Sequence, residues 1–226
     1  MASDPTGSAP TPPPAPPIST PPPLDGGHAS LIDRVKNILI APKEEWARID
    51  AEPATVGGLF TSYAMILAAI GPIASIVGRA LIGFPMTASI AMAVVTYVVS
   101  LLVVFLTALI IDALAPSFGG TKNQVQATKL AVYAATPGWV IGILSVVPQL
   151  FALTAVLALV AGLYGVYLLY LGLPRLMRVP EDKAIVYVIV VVVAWIVVYW
   201  ILMMLLAGIV LSTIGFGMMS AASAPY

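Results

Sequence analysis

The sequence predicts an all-α integral membrane protein, with five transmembrane helices preceded by short amphipathic helices. Three observations point there. Of 226 residues, 60% are hydrophobic and 9% charged, against roughly 25% charged in an average soluble domain. The apolar residues gather into five runs of the length that a hydrocarbon core about 30 Å thick requires, about 20 residues each. The polar residues are confined to a proline-rich start and a few short connections.

Ten of the 20 prolines precede Leu24. Such density removes backbone donors and favours extended polyproline II, so residues 1–29 are expected to form a disordered, Pro-rich cytoplasmic tail. It reads as a solvated spacer, with PTPPPAPP as a PxxP ligand the competing reading. No charged start followed by an apolar core opens the chain, so a cleaved signal peptide is not expected.

From Ser30 the pattern turns helical. Leu31, Ile32, Val35, Ile38 and Leu39 recur on one stripe, with Asp33, Arg34, Lys36 and Asn37 opposite, and Ser30 with Asp33 has the form of a capping box. Ala41-Pro42 ends this helix, and Pro42 suits the first position of a second one carrying Glu44, Glu45, Trp46 and Arg48. Residues 30–56 are thus expected to be amphipathic juxtamembrane helices lying on the membrane surface, Trp46 at headgroup depth, with a protein partner as the alternative cover for their apolar faces.

The five long runs cover residues 58–78, 88–111, 127–147, 150–173 and 184–212. They make a transmembrane domain over 57–214, helical because an open strand edge in lipid would leave backbone groups unpaired. Arg34, Lys36, Lys43, Arg48, Lys122, Lys129, Arg175, Arg178 and Lys183 fall on one side of this topology and Arg79 alone on the other. The positive-inside rule then places the N-terminus in the cytoplasm and residues 215–226, a short non-cytoplasmic tail, across the membrane. Val147-Pro148-Gln149 is so short a connection that spans three and four must form an antiparallel hairpin. Ala134, Gly138 and Gly142, with Ala158, Gly162, Gly165 and Gly172, leave bare patches through which helix backbones can approach.

Reactive chemistry is sparse. There is no cysteine, one histidine (His28) and a net charge of zero. Catalytic residues, metal ligands and a cofactor site are therefore not predicted, and nucleic acid is not an expected partner. Asp112 adjoins an apolar core and is a functional candidate on that ground, with a capping role competing against a proton relay. Arg79 reads as a snorkelling anchor. Pro72 and Pro137 interrupt spans one and three, as broken helices do in transporters. Tyr164, Tyr167 and Tyr170 form a stripe that suits packing, an interfacial belt or a ligand surface. The loops PSFGGTKNQVQATK and PRLMRVPEDKA hold the remaining polar candidates: Gly119, Gly120, Pro180, Glu181, Asp182 and Lys183. Their basic residues suit anionic headgroups.

The stretches FGGTKNQVQATKLAVYAATPGWVIGIL and GLYGVYLLYLGLPRLMRVPEDKA, followed by a valine-rich last span, resemble the bacterial branch of the Yip family, the Ypt/Rab-interacting five-span membrane proteins. RVKNILIAPKEEWARIDAEPATVGGL is similar to the cytoplasmic segment before the first span in that branch, and the likeness covers about residues 31–214. The resemblance implies a five-helix domain with a cytoplasmic N-terminus in the cytoplasmic (inner) membrane of a bacterium, and carries over no catalytic residue. Eukaryotic relatives are associated with Rab GTPases and membrane traffic, machinery that a bacterial chain is expected to lack. Asp112 departs from the asparagine of that branch. The function expected is non-enzymatic, membrane-organising or partner-binding. Residues 30–49, Gly119-Gly120 and Pro180-Glu181-Asp182-Lys183 would form its contact surface. The alternative is a small permease or channel, suggested by the kinked spans and Asp112. Expected partners are the lipid bilayer, a membrane or cytoplasmic protein, and a second copy of the chain.

Overall fold

The computed structural model describes residues 30–222, and the described residues form helices and connections without a strand. The proline-rich stretch 1–29 and residues 223–226 of the expected C-terminal tail lie outside them. Helix α1 (Leu31–Ile40) begins at Ser30, whose Oγ accepts from the Asp33 N–H at 3.2 Å and donates to Asp33 Oδ2 at 2.7 Å. Helix α2 (Pro42–Ala51) starts on its proline, whose fixed φ suits the first turn and whose missing N–H would have had no helical partner there.

Five helical stretches long and apolar enough to cross a membrane follow: Val56–Leu81, Met86–Phe118, Gln124–Val146, Pro148–Leu176 and Glu181–Leu206. The first is broken. Helix α3 (Val56–Leu59) runs into a π-helical turn over Phe60–Ala64, then α4 (Met65–Ala68), a turn at Ala69 and α5 (Ile70–Leu81). Pro72 has no N–H to offer the Ala68 carbonyl, so the ladder loses a rung where α4 gives way to α5. Helix α6 (Met86–Leu114) is continuous and tightens into a 3-10 turn over Ala115–Phe118. Helix α7 (Gln124–Ile141) keeps its course through Pro137, and α8 (Phe151–Leu176) returns after short 3-10 turns, making the expected hairpin. Helix α9 (Glu181–Ala222) is 42 residues long. It thus carries residues 215–222, expected as tail, within the helix.

Helix α7 is the hub of the bundle, packing on α8 and α6 and touching α1, α3, α4 and α5. Bare backbones set its spacing. A Cβ on Gly165 of α8 would lie 2.7 Å from the Ala134 carbonyl oxygen, and one on Gly142 would lie 2.9 Å from the Gly71 Cα of α5. The predicted row Ala134, Gly138, Gly142 therefore serves two seams rather than one, and Gly138 has open space around it. Each four-residue step rotates about 40° around a helix of 3.6 residues per turn, so the row turns from α8 towards α5.

The amphipathic helices depart from expectation. Their apolar faces are covered by the chain's own bundle instead of lipid: Ile38, Trp46 and Ile49 are all buried, with α2 against α8 and α1 against α7. Trp46 sits over Gly172 of α8, where a Cβ would meet its ring at 2.9 Å. Periodicity says which face must be covered, not what covers it.

Candidate functional site

Arg34 lies four residues before Ile38, and Glu45 four before Ile49. Each charge therefore shares the stripe of a buried apolar residue. When α1 and α2 dock, both are carried under the helices. Arg34 Nη1 donates to Glu45 Oε1 at 2.6 Å, the two side chains being 5% and 1% exposed, and Nη2 donates to both carboxylate oxygens of Glu52. The guanidinium also lies 5.7 Å from the centre of the Tyr133 ring on α7. Burial pulls the Arg34 pKa down. Its hydrogen bond to Glu52 and the charges of Tyr133, Glu52 and Glu45 outweigh that effect, leaving the group above the ordinary arginine range.

The network extends into the bundle. Lys129 of α7, itself buried, donates from Nζ to the carbonyl oxygens of Ile49 and Glu52, each at 2.7 Å. These carbonyls belong to the end of α2 and the residue after it, where backbone acceptors lack helical partners. Tyr133 packs edge-on against Trp46 at 6.2 Å and Tyr63 at 4.8 Å, and Tyr63 shares a buried hydrogen bond of 3.0 Å with Thr136. At the rim, Asp50 accepts from Gln126 Nε2 at 3.2 Å and pairs with Arg178 at 3.2 Å. Arg178 takes a left-handed φ of 56° in the connection between α8 and α9, where the Met177 carbonyl accepts the Thr121 N–H at 2.8 Å. The two N-terminal helices, the α6–α7 loop and the α8–α9 loop thus converge at one end of the bundle.

The residues singled out from sequence fall into three places. Gly119, Gly120, Pro180 and Lys183 meet between these loops: Gly119 has φ 76°, and a Cβ there would lie 3.6 Å from both Pro180 Cδ and Lys183 Nζ. A Cβ on Gly120 would strike the Met177 carbonyl at 2.7 Å, so the pair shapes the loop through backbone. Glu181 and Asp182 are exposed in the first turn of α9, where negative charge complements the helix dipole. Asp112 is half-buried in the last turn of α6, with Oδ1 buried and without a hydrogen-bond partner among the described residues. Beside it Tyr187 of α9 donates to the Ile111 carbonyl and stacks on Phe118, tying α9 to α6.

Tyr164 and Tyr167 stand on α8 with their ring centres 5.7 Å apart. Tyr164 donates to the Leu39 carbonyl at 2.8 Å, whereas Tyr167 and Tyr170 are exposed. Pro137 is buried in α7 next to Thr136, apart from both groups. Sequence reasoning missed Arg34, Glu45, Glu52 and Lys129. The i, i+4 relation of Arg34 to Ile38 and of Glu45 to Ile49 was the signal available for two of them. Among the described residues no group of three or more His, Cys, Asp and Glu could hold a metal ion.

Comparison with known proteins places this arrangement. The family described as Yip1 domain matches residues 36–203, most of the chain. The chain belongs to the Yip1 family. It is similar to the inner membrane protein YohC of Escherichia coli strain K12, 27% identical over 154 residues that span 64% of this chain and 78% of that protein. The YohC of E. coli O6:H1 strain CFT073 matches to the same extent. No solved structure matches this Yip1-family chain. The matched region begins inside α1, two residues after Arg34, and takes in Glu45, Glu52 and Lys129, so α2 and the second half of α1 lie within the Yip1 domain.

Proposed function

We propose that this Yip1-family protein is a non-enzymatic membrane-organising or partner-binding protein of a bacterial cytoplasmic membrane, its N-terminus cytoplasmic and its C-terminus opposite. Its contact surface is formed by α1 and α2 together with the Gly119-Gly120 and Pro180-Lys183 loops. The observation that carries this reading is the buried Arg34–Glu45–Glu52–Lys129 network. It fixes two polar, partly apolar helices on the bundle beside both loops, and so presents one composite face. Ile32 and Ile40 remain 75% and 73% exposed on that face and would supply its apolar contacts. Most of the chain's cations belong to these elements, which supports their cytoplasmic placement.

Photo-crosslinking in living cells from positions 32, 36, 40 and 181 tests the proposal. A defined partner should be recovered, and lost when residues 30–49 are deleted or Arg34 is replaced by alanine. A second reading, a small permease, is favoured by the broken first span and its buried Tyr63–Thr136 contact with α7. Solute or ion flux in liposomes that disappears in Asp112→Ala or Pro137→Ala would replace the first reading with this one.

A further inference from the structure

At the end of the bundle away from α1 and α2, one cation stands among the described residues. Arg79 occupies the last turn of α5, next to Gly78. A Cβ on Gly78 would lie 2.4 Å from the Ser145 carbonyl oxygen and 2.8 Å from that of Val146. Only glycine allows this approach, and it pins the following arginine beside the α7–α8 hairpin. There Arg79 and Ser75 of α5 face Leu144, Ser145, Phe151 and Thr154 around a cavity of about 210 Å³. Arg79 forms no ion pair among the described residues, and its Nη1 is buried without a hydrogen-bond partner. The guanidinium carbon lies 6.0 Å from the centre of the Phe84 ring.

Arg79 is only half-buried, but a guanidinium nitrogen held out of water with an unused donor is unfavourable until an acceptor meets it. Its planar fork fits the oxygens of a phosphate, and the hydroxyls of Ser145 and Thr154 add donors on the facing wall. Helix α8 begins at the same cavity without a side-chain cap, so its dipole adds to the positive potential. Arg79 lies two residues before the first span ends at Leu81, the depth at which hydrocarbon gives way to headgroups. Phe151, 78% exposed, and Val147 and Leu150 beside it give acyl chains an apolar wall that a free ion would not use. We propose that this cavity binds the phosphate of an anionic phospholipid, in the leaflet opposite α1 and α2. The site is separate from the contact surface at the other end.

The full-length protein, purified in detergent, is loaded with dioleoylphosphatidylglycerol and followed by native mass spectrometry and thermal unfolding. Diacylglycerol serves as the lipid without phosphate, and inorganic phosphate as the ion without lipid. The wild type should retain phosphatidylglycerol and be stabilised by it. Arg79→Gln should retain it about tenfold less well, with an unchanged lipid-free Tm and circular dichroism spectrum. Arg79→Lys keeps the charge but loses the fork, and should also weaken retention; it decides the matter if Arg79→Gln does not fold. Equal retention by wild type and the Arg79 variants, or equal retention of diacylglycerol, overturns the site. Stabilisation by inorganic phosphate as large as that by phosphatidylglycerol overturns the lipid assignment in favour of a free anion.

Discussion

Arg34 and Glu45, eleven residues apart on two different helices, meet at 2.6 Å with almost no exposure to solvent. Two ionised groups leave water only where geometry compensates their lost hydration. Here Glu52, Tyr133 and Lys129 complete the surroundings, so α1 and α2 are held as part of the domain and do not float on the membrane.

Arg34→Ala should leave Glu45 in a dry site with only its longer, 3.4 Å contact to Arg48, and Glu45→Ala should leave Arg34 with Glu52 alone. Each should destabilise the docked state by about 3–5 kcal/mol. Limited proteolysis reads the result, with cleavage within 30–55 accelerating while the transmembrane helices stay protected. Unchanged cleavage would mean that the apolar contacts of Ile38 and Trp46 suffice.

Gly165→Ala should push α8 away from the Ala134 carbonyl and cost about 1–3 kcal/mol. Gly162→Ala, one turn away with open space around it, is the matched control and should be neutral or slightly stabilising. Thermal unfolding in detergent separates them, and equal shifts would show that α7 and α8 do not approach this closely.

Tyr63→Phe and Thr136→Val each remove one side of a buried hydrogen bond between the broken span and α7. The expected loss is about 0.6 kcal/mol apiece, as for other interhelical bonds in membranes, and the double variant should lose little more than either single one. Additive losses would show that the two hydroxyls act apart.

Reporter fusions after Arg178 and after the last residue should report opposite compartments, because one crossing separates them. Fusions at Arg178 and before α1 should agree. A shared compartment for the first pair would remove the fifth crossing.

Much of this fold was legible before any coordinates. Five apolar runs of spanning length gave the crossings, Ser30 and Pro42 marked where the first two helices begin, and Val147-Pro148-Gln149 marked the hairpin. The buried network was harder to read, because a charge beside an apolar stripe usually reaches water. Arg34 and Glu45 stay dry only because α1 and α2 fold back upon a bundle whose shape no local pattern encodes. The π-helical turn at Phe60–Ala64 is likewise silent in sequence, since it is a shift of backbone pairing along an otherwise ordinary apolar run.

The link between the α6–α7 and α8–α9 loops runs through main chain, from the Thr121 amide to the Met177 carbonyl. Alanine at Thr121 or at Met177 will leave both partners in place, since every residue but proline carries the same amide and every residue the same carbonyl. The side chains at positions 121 and 177 can consequently vary while the strut persists, whereas Gly120, with no room for a Cβ beside the Met177 carbonyl, cannot. Thr121→Pro, which deletes the donor itself, is the substitution able to cut it.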